Sequence, residues 1–215
     1  MEYFVSLLDY IIHLDKYLKI LVESMGMWTY IILFAVIFAE TGLVVTPFLP
    51  GDSLLFAIGT LCGLNLLEIS VIIPLLVVAA NCGDALNYFI GRKLGPRLFN
   101  SESSRIFNKK HLTKTTKFYE KYGGKTIIIA RFMPFVRTFA PFVAGIGKMS
   151  FNKFAMFSIA GGIFWISSLS LLGYFFGGLD IVKNNMSLVI VAIVIISILP
   201  GIVEYIKSKR EPVTD

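Results

Sequence analysis

The chain has 215 residues, of which 56% are hydrophobic and 16% charged, with a mean hydropathy of +0.76. A soluble domain carries about 25% charged and about 45–50% apolar residues. The apolar excess therefore points to a membrane protein and excludes a disordered tail, a collagen or a secreted disulfide scaffold. The net charge is +6, but the basic residues cluster beside hydrophobic segments, which reads as membrane topology rather than nucleic-acid binding.

At this length the chain can make roughly four to six membrane passes with short loops. Cys62 and Cys82 lie in apolar stretches without metal-like spacing and are expected to be buried small hydrophobes. Two histidines, His13 and His111, leave little room for a histidine-based enzyme. The first 15 residues hold Glu2, Asp9 and Asp15 but no Lys or Arg, so a removable signal peptide is not expected.

Residues 1–24 alternate polar and apolar positions at helical spacing and predict an amphipathic helix lying in the membrane interface. Residues 27–46 predict the first span, with Trp28 and Tyr30 as interfacial anchors and Glu40 inside it. Pro47, Pro50 and Gly51 then break the helix. The apolar run Leu54–Leu64 that follows is too short to cross, so 47–64 is expected to be a re-entrant hairpin. A second span is predicted at about 68–91.

Residues 92–122 hold nine Lys and Arg residues against Glu102 and Glu120. They predict a cytoplasmic loop, helical in part, attracted to anionic headgroups. Residues 125–148 are apolar but contain Arg131, Pro134, Arg137 and Pro141. A straight lipid-facing helix would not tolerate these, whereas a second re-entrant segment buried in protein would. Spans are predicted at 151–178, where Gly161-Gly162 allows close helix contact, and at 187–206; a basic tail, 207–215, follows. With the basic loop inside, both termini fall on the cytoplasmic side and the two re-entrant segments enter from opposite faces, the pattern of an inverted repeat. The expected fold is thus one all-α polytopic membrane domain. It has about four transmembrane helices, two opposed re-entrant hairpins (within 27–91 and 125–206) and an N-terminal interfacial helix.

Five ionisable residues fall at membrane depth: Glu40, Asp52, Asp84, Arg131 and Arg137. Each costs about 2.5–3.5 kcal/mol on insertion scales, so such groups face inward, pair, and mark transport paths. Two arginines suit a phosphate, because the guanidinium fork matches its oxygens and stays charged. Helix breaks add free backbone N–H groups that favour an anion. A carboxylate caught between burial and a nearby arginine can take up and release a proton, which makes Glu40 and Asp52 the proton-carrying candidates. The alternative is that the four charges are structural salt bridges, and Asp52 after Pro50-Gly51 also suits a helix N-cap. Asp84 is assigned to another cluster: Asn81, Asp84, Asn87 and Tyr88 form a polar stripe that either lines a cavity or glues helices together. Pro50, Gly51, Pro134 and Thr138 complete the candidate cavity lining.

At these residues the sequence resembles the DedA family. The resemblance is carried by Phe38-Ala39-Glu40-Thr41-Gly42 through Pro47-Phe48-Leu49-Pro50-Gly51-Asp52-Ser53, by Gly83-Asp84-Ala85-Leu86-Asn87-Tyr88-Phe89-Ile90-Gly91-Arg92, and by Phe118–Lys125 running on through Arg131–Pro141. It covers nearly the whole chain. It implies a bacterial inner-membrane protein of the VTT (SNARE-associated) class that moves lipids between leaflets. For bacterial members the implied cargo is undecaprenyl phosphate returned to the cytoplasmic leaflet, or phosphatidylethanolamine, with dependence on the proton motive force. It also maps an acidic pair onto Glu40 and Asp52 and an arginine pair onto Arg131 and Arg137. One departure stands out: many members carry an Asn ahead of the Gly-rich start of the later span, where this chain reads Phe157-Ser158-Ile159-Ala160-Gly161-Gly162.

The expected function is a proton-coupled lipid transporter returning undecaprenyl phosphate from the outer to the inner leaflet, with no cofactor beyond the proton gradient and no nucleic-acid partner. A less selective phospholipid flippase or scramblase is the first alternative. A membrane phosphatase lacks a histidine among the intramembrane arginines, and an assembly factor without a transport cycle would need the charges only for stability. A homo-oligomer is compatible with the sequence.

Overall fold

The computed structural model describes residues 20, 22–42, 51–99, 123–131, 133–180 and parts of 182–195, with the side chains of 95–99, 125, 134 and 135 left undefined. Six helices account for most of the described residues: α1 (Trp28–Gly42), α2 (Gly51–Gly63), α3 (Ile69–Phe99), α4 (Gly123–Ala130), α5 (Pro134–Ile146) and α6 (Phe151–Phe176). The expectations for 1–19, 43–50, 100–122 and 196–215 lie outside the described residues, as does much of the predicted span 187–206.

Two helical stretches, Ile69–Leu94 and Phe151–Phe176, are long and apolar enough to cross a membrane. Only 33% of each stretch is buried, which fits helices bathed in lipid better than the core of a soluble protein. The predicted span 151–178 agrees with α6. The predicted span 68–91 was cut short: α3 runs on through Arg92 and Lys93 to Phe99, because basic side chains do not end a helix and their charge is tolerated at the membrane surface. The predicted span 27–46 is described only as the 15 residues of α1.

The shorter helices end where the chain chemistry requires it. Pro134 has no N–H and disfavours helical geometry in the residue before it. Met133 is accordingly extended (φ −120°, ψ 102°), and 125–148 divides into α4 and α5 around Arg131–Met133. At about 1.5 Å per residue neither piece reaches across a bilayer. The 13-residue helices α2 and α5 finish alike. Asn65 and Lys148 adopt positive φ (59° and 55°), and Leu66 N–H and Met149 N–H donate to Leu61 O and Ala144 O, 3.0 and 3.1 Å away. This is a Schellman closure with non-glycine residues at the left-handed position. A long helix, α3 or α6, follows each turn within a few residues.

The chain forms two compact units. The first comprises 1–31, 50–73 and 166–215. Within it α2 packs on the end of α6 through small residues. A side chain at Gly63 would stand 2.6 Å from Tyr174 O, Gly59 faces Ser170 O, and Gly173 faces Phe56 O. Thr60 Oγ1 donates to Phe56 O (3.1 Å) and reaches Gly173 O (3.4 Å). This small-residue contact lets two backbones approach where lipid supplies no hydrophobic drive. The second unit comprises 32–49 and 74–165. Its core gathers Tyr88, Ile127, Ala130, Ala140, Ala144, Met149 and Phe154.

Of the two cysteines, Cys62 is buried as expected, but Cys82 is exposed. Apolar surroundings in sequence do not imply burial when the solvent is itself apolar.

Candidate functional site: two buried ion pairs

Four of the five intramembrane charges lie in the second unit, and they form two pairs. Glu40, Asp84, Arg131 and Arg137 are 1–4% exposed, so each needs its compensation from protein. Arg137 Nη2 donates to Glu40 Oε1 at 2.5 Å. The Arg137 guanidinium carbon also stands 4.4 Å from the centre of the Trp165 ring, a cation–π contact that a desolvated cation strengthens.

Arg131 Nη2 donates to Asp84 Oδ2 and to Ser158 Oγ at 3.0 Å. Ser158 Oγ lies 2.7 Å from Asp84 Oδ2 and 3.0 Å from Asn81 Oδ1, so its single proton serves one of them at a time. Asn81 is fixed by its own Nδ2, which donates to Val77 O at 2.7 Å. Asp84 therefore does not belong to a cluster apart from the arginines, as its sequence position suggested. The turn at Arg131 carries that side chain to α3, and the polar stripe on α3 meets it. Among the described residues, the buried Nε and Nη1 of Arg131 have no hydrogen-bond partner.

The rest of the stripe holds helices together. Asn87 Nδ2 donates to Thr138 O (2.6 Å) on α5 and reaches Thr41 O (3.4 Å) on α1. It thus ties together the residues that follow Arg137 and Glu40 in sequence. Tyr88 Oη donates to Met149 O and accepts from Arg92 Nη1 at 2.9 Å. Asn81 borders a cavity of about 460 Å³ between α3 and α6, whereas Asp84, Asn87 and Tyr88, expected as cavity lining, are absent from its walls, and Asn87 and Tyr88 are buried fasteners.

Asp52 is in the first unit, in the first turn of α2, where a carboxylate complements the positive end of the helix. Gly51 opens the same helix, and Pro50 lies outside the described residues. Pro134 opens α5, and Thr138 is buried with its carbonyl engaged by Asn87. No group of three or more His, Cys, Asp or Glu with metal-holding geometry occurs among the described residues.

Sequence reasoning overlooked Ser158 and Trp165. Ser158 lies in the segment ahead of Gly161-Gly162, and its hydroxyl supplies a polar contact to Arg131 and Asp84 there. Gly161 and Gly162 were read as a helix contact. Gly161 does bring α6 close to α4, an added side chain standing 3.4 Å from Ile128 Cα, and both glycines also make room for arginine: added side chains would stand 3.1 Å from Arg131 Cδ and 3.4 Å from its Cζ.

The VTT domain matches residues 49–175. The chain is 51% identical to Protein DedA of Escherichia coli K12 over 212 residues, covering 98% of this chain and 97% of that one. It is 44% identical to an uncharacterized membrane protein of Mycobacterium leprae over 78% of this chain and 75% of the other. It is 31% identical to the inner membrane protein YghB of E. coli K12 over 79% of this chain and 77% of the other. No solved structure matches the chain. With buried charges at the positions its motifs mark and this extent of similarity, the chain belongs to the DedA family of VTT-domain membrane proteins.

Proposed function

We propose that this protein moves an anionic lipid, undecaprenyl phosphate, from the outer to the inner leaflet of the bacterial inner membrane, coupled to protons. The observation that carries the reading is the pair of buried arginines, each held by one carboxylate, with two buried N–H-bearing nitrogens of Arg131 left over.

The chemistry is an exchange of partners. A deprotonated Glu40 neutralises Arg137. A proton taken up by Glu40 removes that compensation, and the guanidinium then favours a phosphate oxygen as its replacement partner. Arg131 adds its remaining donors to the same headgroup, and Asp52 serves as a second proton-exchanging carboxylate. Releasing the proton restores the Glu40–Arg137 pair and expels the phosphate. Inward movement of one negative charge against 100 mV, inside negative, costs about 2.3 kcal/mol, and co-transport of one proton cancels it. In this scheme 47–64 and 125–148 are re-entrant hairpins entering from opposite faces, both termini are cytoplasmic, and the polyprenyl tail stays in lipid while the headgroup crosses. The protein makes and breaks no covalent bond.

The test is purified protein in liposomes, following the leaflet position of labelled undecaprenyl phosphate with and without a pH gradient. Gradient-dependent movement, outcompeted by undecaprenyl phosphate but not by phosphatidylethanolamine and lost in Arg137→Ala, is the expected result. Equal, gradient-indifferent movement of both lipids would make the protein a scramblase and the arginines structural. Release of inorganic phosphate would make it a phosphatase.

A further inference from the structure

A second lipid-recognition feature lies in the second unit. The α3 stretch that crosses the membrane ends at Leu94, and the α6 span begins at Phe151. Contacts bring these two ends together. Phe89 stacks on Phe151 (5.0 Å between ring centres), and Tyr88 stacks on Phe154 (4.7 Å). Tyr88 Oη reaches Met149 O, next to Lys148. The ends of the two spans therefore meet at one membrane surface, where lipid headgroups lie.

Three cations border this aromatic cluster. Arg92 donates to Tyr88, Lys93 lies one helical turn beyond Phe89, and Lys148 occupies the turn before α6. All three are exposed. No carboxylate occurs at positions 85–99 or 123–165, so among the described residues of these segments the positive charge has no acidic counterpart.

Directly below the cations runs the cavity of about 460 Å³. Its lining includes Val78, Ala85, Phe151, Ala155 and Ile159, with Asn81 and Ser158 as its polar members. From Phe151 to Ser158 it extends roughly 10 Å along α6. The volume is that of a small-molecule site, about 300–1,000 Å³. Val78 and Ile159 are half exposed, so the groove opens sideways to the bilayer. An apolar groove leading from a ring of uncompensated cations at headgroup level matches one kind of molecule, an amphiphile with an anionic head and a hydrocarbon chain.

We infer that this face binds an anionic phospholipid, its phosphate on Arg92, Lys93 and Lys148 and one acyl chain in the groove between α3 and α6. The site uses neither arginine–carboxylate pair itself but borders one of them, since Ser158 in its lining bonds to Arg131 and Asp84. Basic residues attract an anionic headgroup near the membrane surface, so the headgroup charge decides which lipid is retained.

Cys82 lines the groove and is exposed, while Cys62 is buried, which supplies a reporter and an internal control. The experiment measures N-ethylmaleimide addition at each cysteine by peptide mass spectrometry, using the full chain in detergent. Dioleoyl phosphatidylglycerol, dioleoyl phosphatidylcholine or glycerol 3-phosphate is added. Phosphatidylglycerol should protect Cys82 at about tenfold lower concentration than phosphatidylcholine, a difference of about 1.4 kcal/mol, and glycerol 3-phosphate should not protect it. The surface variant Lys93→Gln/Lys148→Gln should reduce phosphatidylglycerol to the phosphatidylcholine level. Equal protection by the two phospholipids in the native protein, protection by neither, protection by glycerol 3-phosphate alone, or an undiminished preference in the variant would each overturn the site.

Discussion

The two compact units solve the same problem, burial in an apolar solvent, by different means. In the first, α2 and the end of α6 approach through Gly59, Gly63 and Gly173, and the polar contribution is a threonine hydroxyl bonded to backbone. In the second, helices are joined by two arginine–carboxylate pairs and by the side chains of Asn81, Asn87, Tyr88 and Ser158. Close packing of small residues gives stability without chemical commitment. Buried ion pairs are a poor source of stability, because desolvation offsets most of their attraction. Their concentration in one unit therefore points to the exchange of partners there, with Asp52 the one such charge of the first unit.

Removing one partner of a buried pair should produce the largest effect. Arg131→Ala leaves the Asp84 carboxylate buried without its cation and should lower stability by about 3–5 kcal/mol, measured as detergent-solubilised unfolding. Adding Asp84→Asn should recover much of that loss but no lipid transport. Recovery of both would make the pair purely structural and erase the distinction between the units.

The glycine contact is the corresponding weak point of the first unit. Gly59→Leu forces a side chain into the Ser170 carbonyl, which belongs to backbone and cannot move aside. Overpacking of this kind costs about 1–3 kcal/mol. The expected outcome is reduced stability with normal transport per folded molecule. Loss of transport at full stability would assign function to the glycine contact itself.

Smaller substitutions sharpen the comparison. Ser158→Ala removes a hydroxyl bonded to charged partners, worth about 1.5–3 kcal/mol, and Ser158→Asn should restore a polar contact to Arg131; melting curves of both variants check this. Tyr88→Phe removes the bond to Met149 O and the one accepted from exposed Arg92, and should cost about 0.5–1.5 kcal/mol for the buried bond to Met149 O with transport intact, separating the fasteners of the stripe from its working members. Glu40→Gln keeps the shape and a hydrogen bond to Arg137 but cannot exchange a proton. It should insert normally and lose gradient-driven transport in liposomes.

Much of this was legible in the sequence. Apolar length located α3 and α6, and the prolines and arginines of 125–148 announced an interrupted segment before its two helices were seen. The buried charges were identifiable because an ionised group at membrane depth requires a partner. The pairing was not. Arg131 and Asp84 are separated by 47 residues, and nothing local distinguishes Asp84 from Glu40 or Asp52 as the acid that meets a given arginine. Cys82 was misplaced for a related reason: in a membrane, hydropathy reports depth in the bilayer and does not distinguish a lipid-facing position from a protein-facing one.

The sequence by itself determined the class of solvent, the helical elements, the positions where helices must break and the residues too costly to bury alone. These follow from local covalent and solvation physics: proline lacks an N–H, and hydrocarbon does not solvate charge. Only the tertiary structure decided that Arg131 meets Asp84 and Ser158, that Arg137 meets Glu40 over Trp165, and that Gly161 and Gly162 accommodate a guanidinium. Those outcomes depend on which helix faces another within each unit. That choice is made by the summed packing of many apolar contacts, none of which is encoded at the charged positions themselves.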